Sequence, residues 1–143
     1  MNRDEFIKAY HDFIDTALGI AAKARREGLL GLDGDVDREK AGQRDIFHYG
    51  LQFAVDGVAS EIIDKIISNI AAQEKDEYTR ILKTIQKEAV MGIQQGANPK
   101  LLHCVLNSYT DLPIKDEEAR FNIDEDEDEA QYEHDEGKYD AEI

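Results

Sequence analysis

The sequence predicts an all-α fold, an elongated bundle of four to five helices followed by a disordered acidic tail. Three observations predict it. Apolar residues recur at steps of three and four along most of the 143 residues, the period of a helix with one buried face. No stretch alternates apolar and polar residues, and the Asp-Gly pairs, Asp33-Gly34 and Asp56-Gly57, are not flanked by strand-like runs. The charge is also divided: 17 Lys+Arg against 32 Asp+Glu give −15, and residues 113–143, with 14 acids and 3 bases, carry −11 of it. Two units follow, a helical domain over 1–112 and an acidic tail over 113–143.

The first helix is expected over about 3–30, with Phe6, Tyr10, Phe13, Ile14, Ala17, Ala21 and Ala24 on one stripe. Gly28 and Gly31 weaken its end, since glycine costs about 1 kcal/mol in a helix interior. Residues 33–43 are polar and turn-like and are expected as a break. Asp45 is placed to cap the next helix, whose face is Phe47, Leu51, Ala54 and Val58 and whose stop is Gly57. Ser60 is the expected cap of a third helix bearing Ile62, Ile63, Ile66, Ile67 and Ile70, all five expected deep in the core. A polar patch over 73–77 follows. Tyr78, Ile81, Leu82, Ile85, Ala89 and Ile93 then resume the stripe, so 60–95 is either one long helix or a hairpin. The first helix is expected to pack on the Ile-rich one and on this segment. Gly96 stops the segment, and Asn98-Pro99 opens a short last helix, because proline's missing N–H would have had no partner there. Leu101, Leu102, Val105, Leu106 and Tyr109 are expected to face inward, and Pro113 marks the exit. From about Lys115 the few apolar residues cannot offset chain entropy, which is the basis for expecting disorder.

Composition also bounds function. The negative charge argues against nucleic-acid phosphates and against anionic lipid, both of which need clustered Lys and Arg. The chain opens on charged residues without the apolar core of a secretory signal, and no apolar run approaches the roughly 18 residues of a membrane span. A single cysteine, Cys104, suits a reducing compartment. These readings point to a cytoplasmic protein. Cys104 neighbours His103, but adjacent helical residues point about 100° apart, so Cys104 is read as a small core residue. Asp45 and His48 could share a helix face, and His134 lies among carboxylates, yet no third or fourth ligand falls at a metal-binding spacing. No phosphate-cradling glycine loop, cofactor motif or distinct acid–base pair is present, so nothing favours an enzyme.

Three stretches carry a resemblance. Residues 24–33 (Ala-Arg-Arg-Glu-Gly-Leu-Leu-Gly-Leu-Asp), residues 50–57 with 61–63 (Gly-Leu-Gln-Phe-Ala-Val-Asp-Gly, Glu-Ile-Ile), and residues 93–102 (Ile-Gln-Gln-Gly-Ala-Asn-Pro-Lys-Leu-Leu) occur in this order. Together they resemble the cytoplasmic domain of the flagellar motor stator protein MotA, over most of residues 17–109. The departures are equally specific. The two membrane helices that precede the first stretch in that family are missing. The two that separate the second and third are replaced by the polar patch over 73–77. The resemblance therefore implies a stator cytoplasmic domain lacking all four membrane helices, and it excludes proton conduction by this chain. It also implies partner-binding residues: Arg25 matches an arginine, and Asp33 a glutamate, that contact oppositely charged groups on the rotor switch protein FliG. Asp33 keeps the sign of that glutamate on a shorter side chain. Arg26 adds a second cation.

Two functions follow. The first is a non-enzymatic cytoplasmic motility accessory, associated with the flagellar motor, that presents a stator-like helical surface to FliG or to stator subunits. The alternative is an acidic-tailed decoy or chaperone-like adaptor that engages a basic client protein. The tail could also fold back on Arg25 and Arg26, an electrostatic contact that salt would screen. An Ile-rich face of this size also suits completion by a second copy in a homodimer.

Overall fold

The computed structural model describes residues 1–114, and the acidic tail lies outside the described residues from Lys115 onward. Six α-helices and one 3-10 segment make up the described chain: α1 (Arg3–Glu27), the 3-10 segment Leu29–Asp35, α2 (Arg38–Gly42), α3 (Ile46–Val55), α4 (Ser60–Ala71), α5 (Glu77–Gln94) and α6 (Pro99–Asn107). The all-α prediction holds, with more helices than the four to five expected.

Local signals set most boundaries. Asn2 caps α1 in a reciprocal box with Glu5: the Glu5 N–H donates to Asn2 Oδ1 at 2.8 Å, and the Asn2 N–H donates to Glu5 Oε1 at 2.9 Å. α1 ends at Glu27 rather than at residue 30, because Gly28 takes φ 81° and its N–H closes on the Ala24 carbonyl. Asp45 and Asn98 cap α3 and α6, Pro99 opens α6, and Gly57 and Gly96 take positive φ after α3 and α5, as read from sequence. Ser60 does not cap α4. Ala59 holds that position without a side-chain bond, and Ser60 is the first helical residue. Val58 lies beyond the end of α3 but still packs on the core.

The packing settles the ambiguity at 60–95 as a hairpin. α4 and α5 run antiparallel, tied by Lys87–Asp64 at 3.2 Å near one end and Lys83–Glu74 at 2.9 Å at the turn. α5 lies at the centre, packed on α1, α3, α4 and α6. α4 rests on α3 and α5, so α1 packs on α5, α6 and the 3-10 segment instead of on the Ile-rich helix. α1 and α5 run parallel, with Phe6 stacked on Tyr78 at 5.1 Å. α6 returns antiparallel to α1: Arg3 meets Asp111 at 3.0 Å, and the Tyr10 hydroxyl donates to Asn107 Oδ1 at 2.7 Å. Burial pushes the Tyr10 phenol's pKa up, with a smaller contribution from Cys104, which keeps the hydroxyl a donor.

Two glycines permit close approaches. A Cβ at Gly50 would lie 3.0 and 3.1 Å from the Val90 methyls and 3.2 Å from Ile67 Cδ1, so α3 sits directly on α4 and α5. A Cβ at Gly92 would lie 2.5 Å from Leu102 Cδ1. A missing side chain thus lets α3 close on α4 and α5, and another lets α6 close on α5.

Two expected faces are corrected. Of the five isoleucines only Ile63 and Ile67 are fully buried; Ile66 and Ile70 are half-buried, and Ile62 is 53% exposed. The 62/66/70 ridge is rotated by one residue, about 100°, from the 63/67/71 ridge that meets the core. In α6, Leu102 and Leu106 are buried, whereas Leu101 and Val105 are exposed, as is Tyr109 beyond the helix end. The expected break at 33–43 is also structured: Val36 and Ala41 are buried, as is Leu32 just ahead of it, and α2 packs on α3.

Asp76 closes the α4–α5 turn. Its carboxylate accepts from the Thr79 hydroxyl at 2.6 Å and the Thr79 N–H at 2.9 Å, and the Met1 ammonium lies 3.3 Å away. The Thr79 hydroxyl and N–H, with a smaller contribution from Met1, hold its pKa down at about 2, against the ordinary 3.8. A depressed carboxylate pKa gives stabilisation that is full above the unfolded value and is lost as pH falls through the folded one. Asp76→Asn should therefore be less stable than wild type above pH ~4. Urea titrations across pH should show that deficit shrink below pH ~4 and vanish near pH ~2. A deficit independent of pH would assign the effect to lost geometry alone.

Candidate interaction surface

The residues singled out by the resemblance lie where α1 ends. Arg25 and Arg26 occupy its last turn, where the helix dipole favours cations. Arg25 is half-buried and Arg26 exposed. Arg26 Nη2 lies 2.8 Å from Glu27 Oε2. Gly28 then turns the chain into the 3-10 segment, which doubles back along α1. Leu32, fully buried, pins that segment, while Leu30 is 80% exposed.

A half-buried ion pair fixes the segment from the other side. Lys23 Nζ donates to Asp35 Oδ2 at 2.9 Å, and this bond, with the charge of Asp35, raises the lysine pKa. Asp33 is exposed and accepts from the Arg38 guanidinium, which projects from the first turn of α2. The Asp37 carboxylate accepts from the Lys40 N–H, capping α2, and that backbone bond is the largest cause of its lowered pKa. The Asp37 N–H donates to His48 Nδ1 at 3.0 Å, and the His48 N–H donates to Asp45 Oδ2 at 3.1 Å. Asp45 and His48 are thus engaged in holding backbone.

The structure places Arg25, Arg26 and Asp33 at one end of the bundle, on two adjoining elements. Asp33 has Arg38 as its ion-pair partner, so a partner protein that reads Asp33 must compete with or bridge to that arginine. Exposed pairs of this kind contribute about 0–1 kcal/mol, which leaves both groups available for exchange. Sequence reasoning missed Arg38 and the Lys23–Asp35 clip, since their spacings of 5 and 12 residues follow no helical rule.

Sequence reasoning also missed a set of buried polar residues on the α1–α6 pair. His11 and Asp15 stand one turn apart on α1, and Lys100 and His103 three residues apart on α6, each under 10% exposed. The i,i+4 and i,i+3 spacings were the available signal. Among the described residues, no group of three or more His, Cys, Asp or Glu side chains is arranged to hold a metal ion. Cys104 is half-buried, short of the full burial expected. No helix of the described residues is long and apolar enough to cross a membrane.

Comparison of the chain with family models, with curated proteins and with solved structures returned no match.

Proposed function

We propose that this chain is a non-enzymatic cytoplasmic accessory of flagellar motility, presenting a stator-like helical surface at Arg25, Arg26 and Asp33 to FliG or to stator subunits. One geometric observation carries the reading. In the family it resembles, membrane helices attach ahead of α1 and between α4 and α5. Here those two points meet: the Met1 nitrogen lies 3.3 Å from Asp76 in the α4–α5 turn. Arg25 lies about 33 Å further along α1, at 1.5 Å per residue. The three resembling stretches pack together away from that pole: the end of α1 with the 3-10 segment, then α3 and the start of α4, then the junction of α5 and α6. Gln94, in the third, donates its side-chain amide to the carbonyl of Val58, the residue that follows the Gly50–Gly57 part of the second, at 2.8 Å. A domain hung from a membrane at one pole and read by a partner at the other would be built this way.

The test is capture of purified FliG by the full chain, wild type against Arg25→Glu and Arg26→Glu. Reversing a cation that meets a carboxylate should weaken capture by about tenfold or more, and the loss should shrink as salt rises. Circular dichroism checks that the half-buried Arg25 site still folds, and the exposed Arg26 variant gives the answer if it does not. Equal capture by wild type and both variants, or no capture at all, overturns the docking role.

The second reading, an adaptor for a basic client, rests on the −11 carried by residues 113–143. Deleting those residues separates the two: the motor reading expects capture of FliG to be retained or increased, and the adaptor reading expects loss of its client.

A further inference from the structure

We propose that the groove bounded by α4, α5 and α6 is a docking site for a basic amphipathic helix of a partner protein. The site is separate from Arg25, Arg26 and Asp33 and does not rest on the motility reading.

The groove has a volume of about 520 Å³. Its apolar surface is Met91, Leu101, Leu102 and Val105, with Gly92 and Ala97 between them. Gly92 sets the shape. With no Cβ there, Leu102 turns in against α5 and is buried. The neighbouring ridge of Leu101 and Val105 is left facing the groove, each residue 47% exposed. Side chains one helical turn apart, over a floor that lacks one, offer a slot for anchors spaced i, i+3 and i+4 on an incoming helix.

The rim selects the charge of that helix. Glu61 and Asp64 from α4 and Glu88 from α5 stand against one ammonium, Lys87. Lys87 is already held, 3.2 Å from Asp64 and 3.6 Å from Glu88. Burial lowers its pKa, but the two carboxylates outweigh that effect and keep it above the ordinary lysine value, so it stays charged and engaged. The rim therefore presents net negative charge around an apolar floor, complementary to leucine-type anchors flanked by Lys or Arg. The same charge excludes two other occupants. The chain's own acidic tail, at −11, would be repelled. A second copy docking groove to groove about a two-fold axis would set the same carboxylates against each other.

The probe is a fluorescently labelled Leu/Lys peptide of about five helical turns, titrated against the full chain at physiological ionic strength and read by anisotropy. Its control has the same composition in an order that abolishes amphipathicity, so attraction to the tail is equal for both peptides. The amphipathic peptide is expected to bind at least about tenfold more tightly than its control. Leu101→Ser/Val105→Ser should abolish that preference, and Glu61→Gln/Glu88→Gln should reduce it. In wild type, the peptide should shift the backbone amide NMR signals of Ala97, Leu101 and Val105, a readout that does not depend on any variant folding. Equal binding of the two peptides, a preference that survives the Leu101/Val105 variant, or shifts confined to other residues would overturn the proposal. So would a dimer of wild type in sedimentation that the Leu101/Val105 variant disrupts, because a second copy would then be the occupant.

Discussion

Truncation of Ile67 to alanine is expected to destabilise the domain by about 2–5 kcal/mol, and the same truncation at Ile62 by under about 0.5 kcal/mol. Ile67 is fully buried and its Cδ1 reaches the surface of Gly50, where α3 presents no side chain of its own. Nothing at Gly50 can move in to fill the space, so the cavity persists and the full cavity cost adds to the transfer cost. Ile62 is 53% exposed and sits on the neighbouring ridge of the same helix. Against a typical domain stability of about 5–15 kcal/mol, the first loss shifts a urea midpoint far and the second barely moves it. Equal losses at the two positions would mean that the Ile62 ridge is also covered.

That contrast shows where the sequence was readable. A run of isoleucines at i, i+1, i+4, i+5 and i+8 contains two ridges, and periodicity alone does not say which one meets the core. The same ambiguity recurs in α6, where the Leu102/Leu106 ridge is buried and the Leu101/Val105 ridge is open. Which ridge turns inward depends on the approach distance of the neighbouring helix, here set by Gly50 and Gly92 across tertiary contacts. Boundaries were readable where one residue carries the signal. Asp45 and Asn98 cap, Pro99 opens, and Gly57 and Gly96 stop, each through its own side chain or its lack of one. Residues 29–42 were not readable, because Leu32, Val36 and Ala41 are too widely spaced among glycines and charges to make a stripe. Their burial comes from the long α1 and α3 on which they lie. The candidate site was half legible: the sequence supplied Arg25, Arg26 and Asp33, but not Arg38 or the Lys23–Asp35 pair that sets the segment between them.

Leu32 is the point at which this segment and the fold depend on each other. Leu32→Ala is expected to cost about 2–5 kcal/mol if the segment opens only with the whole domain. Leu32, Val36 and the Lys23–Asp35 pair hold the segment, and a short 3-10 element of this kind can also open on its own. In that case the global unfolding free energy falls by less than the cavity term, and the remainder appears as local opening. Hydrogen exchange should separate the two: in Leu32→Ala, amides of residues 29–36 should exchange faster than those of the α5 centre around Ile85 and Ala89, which are fully buried. Leu30→Ala, at an 80% exposed position two residues away, should change neither. A Leu32 variant within about 0.5 kcal/mol of wild type, with unchanged exchange over 29–36, would mean that this leucine does not anchor the segment. The site makes the outcome informative beyond stability. Asp33 follows Leu32 directly and meets Arg38 at the start of α2, so a detached segment would carry the carboxylate away from the end of α1. Capture of a partner through Arg25 alone would survive that detachment, and capture through Arg25 and Asp33 together would not.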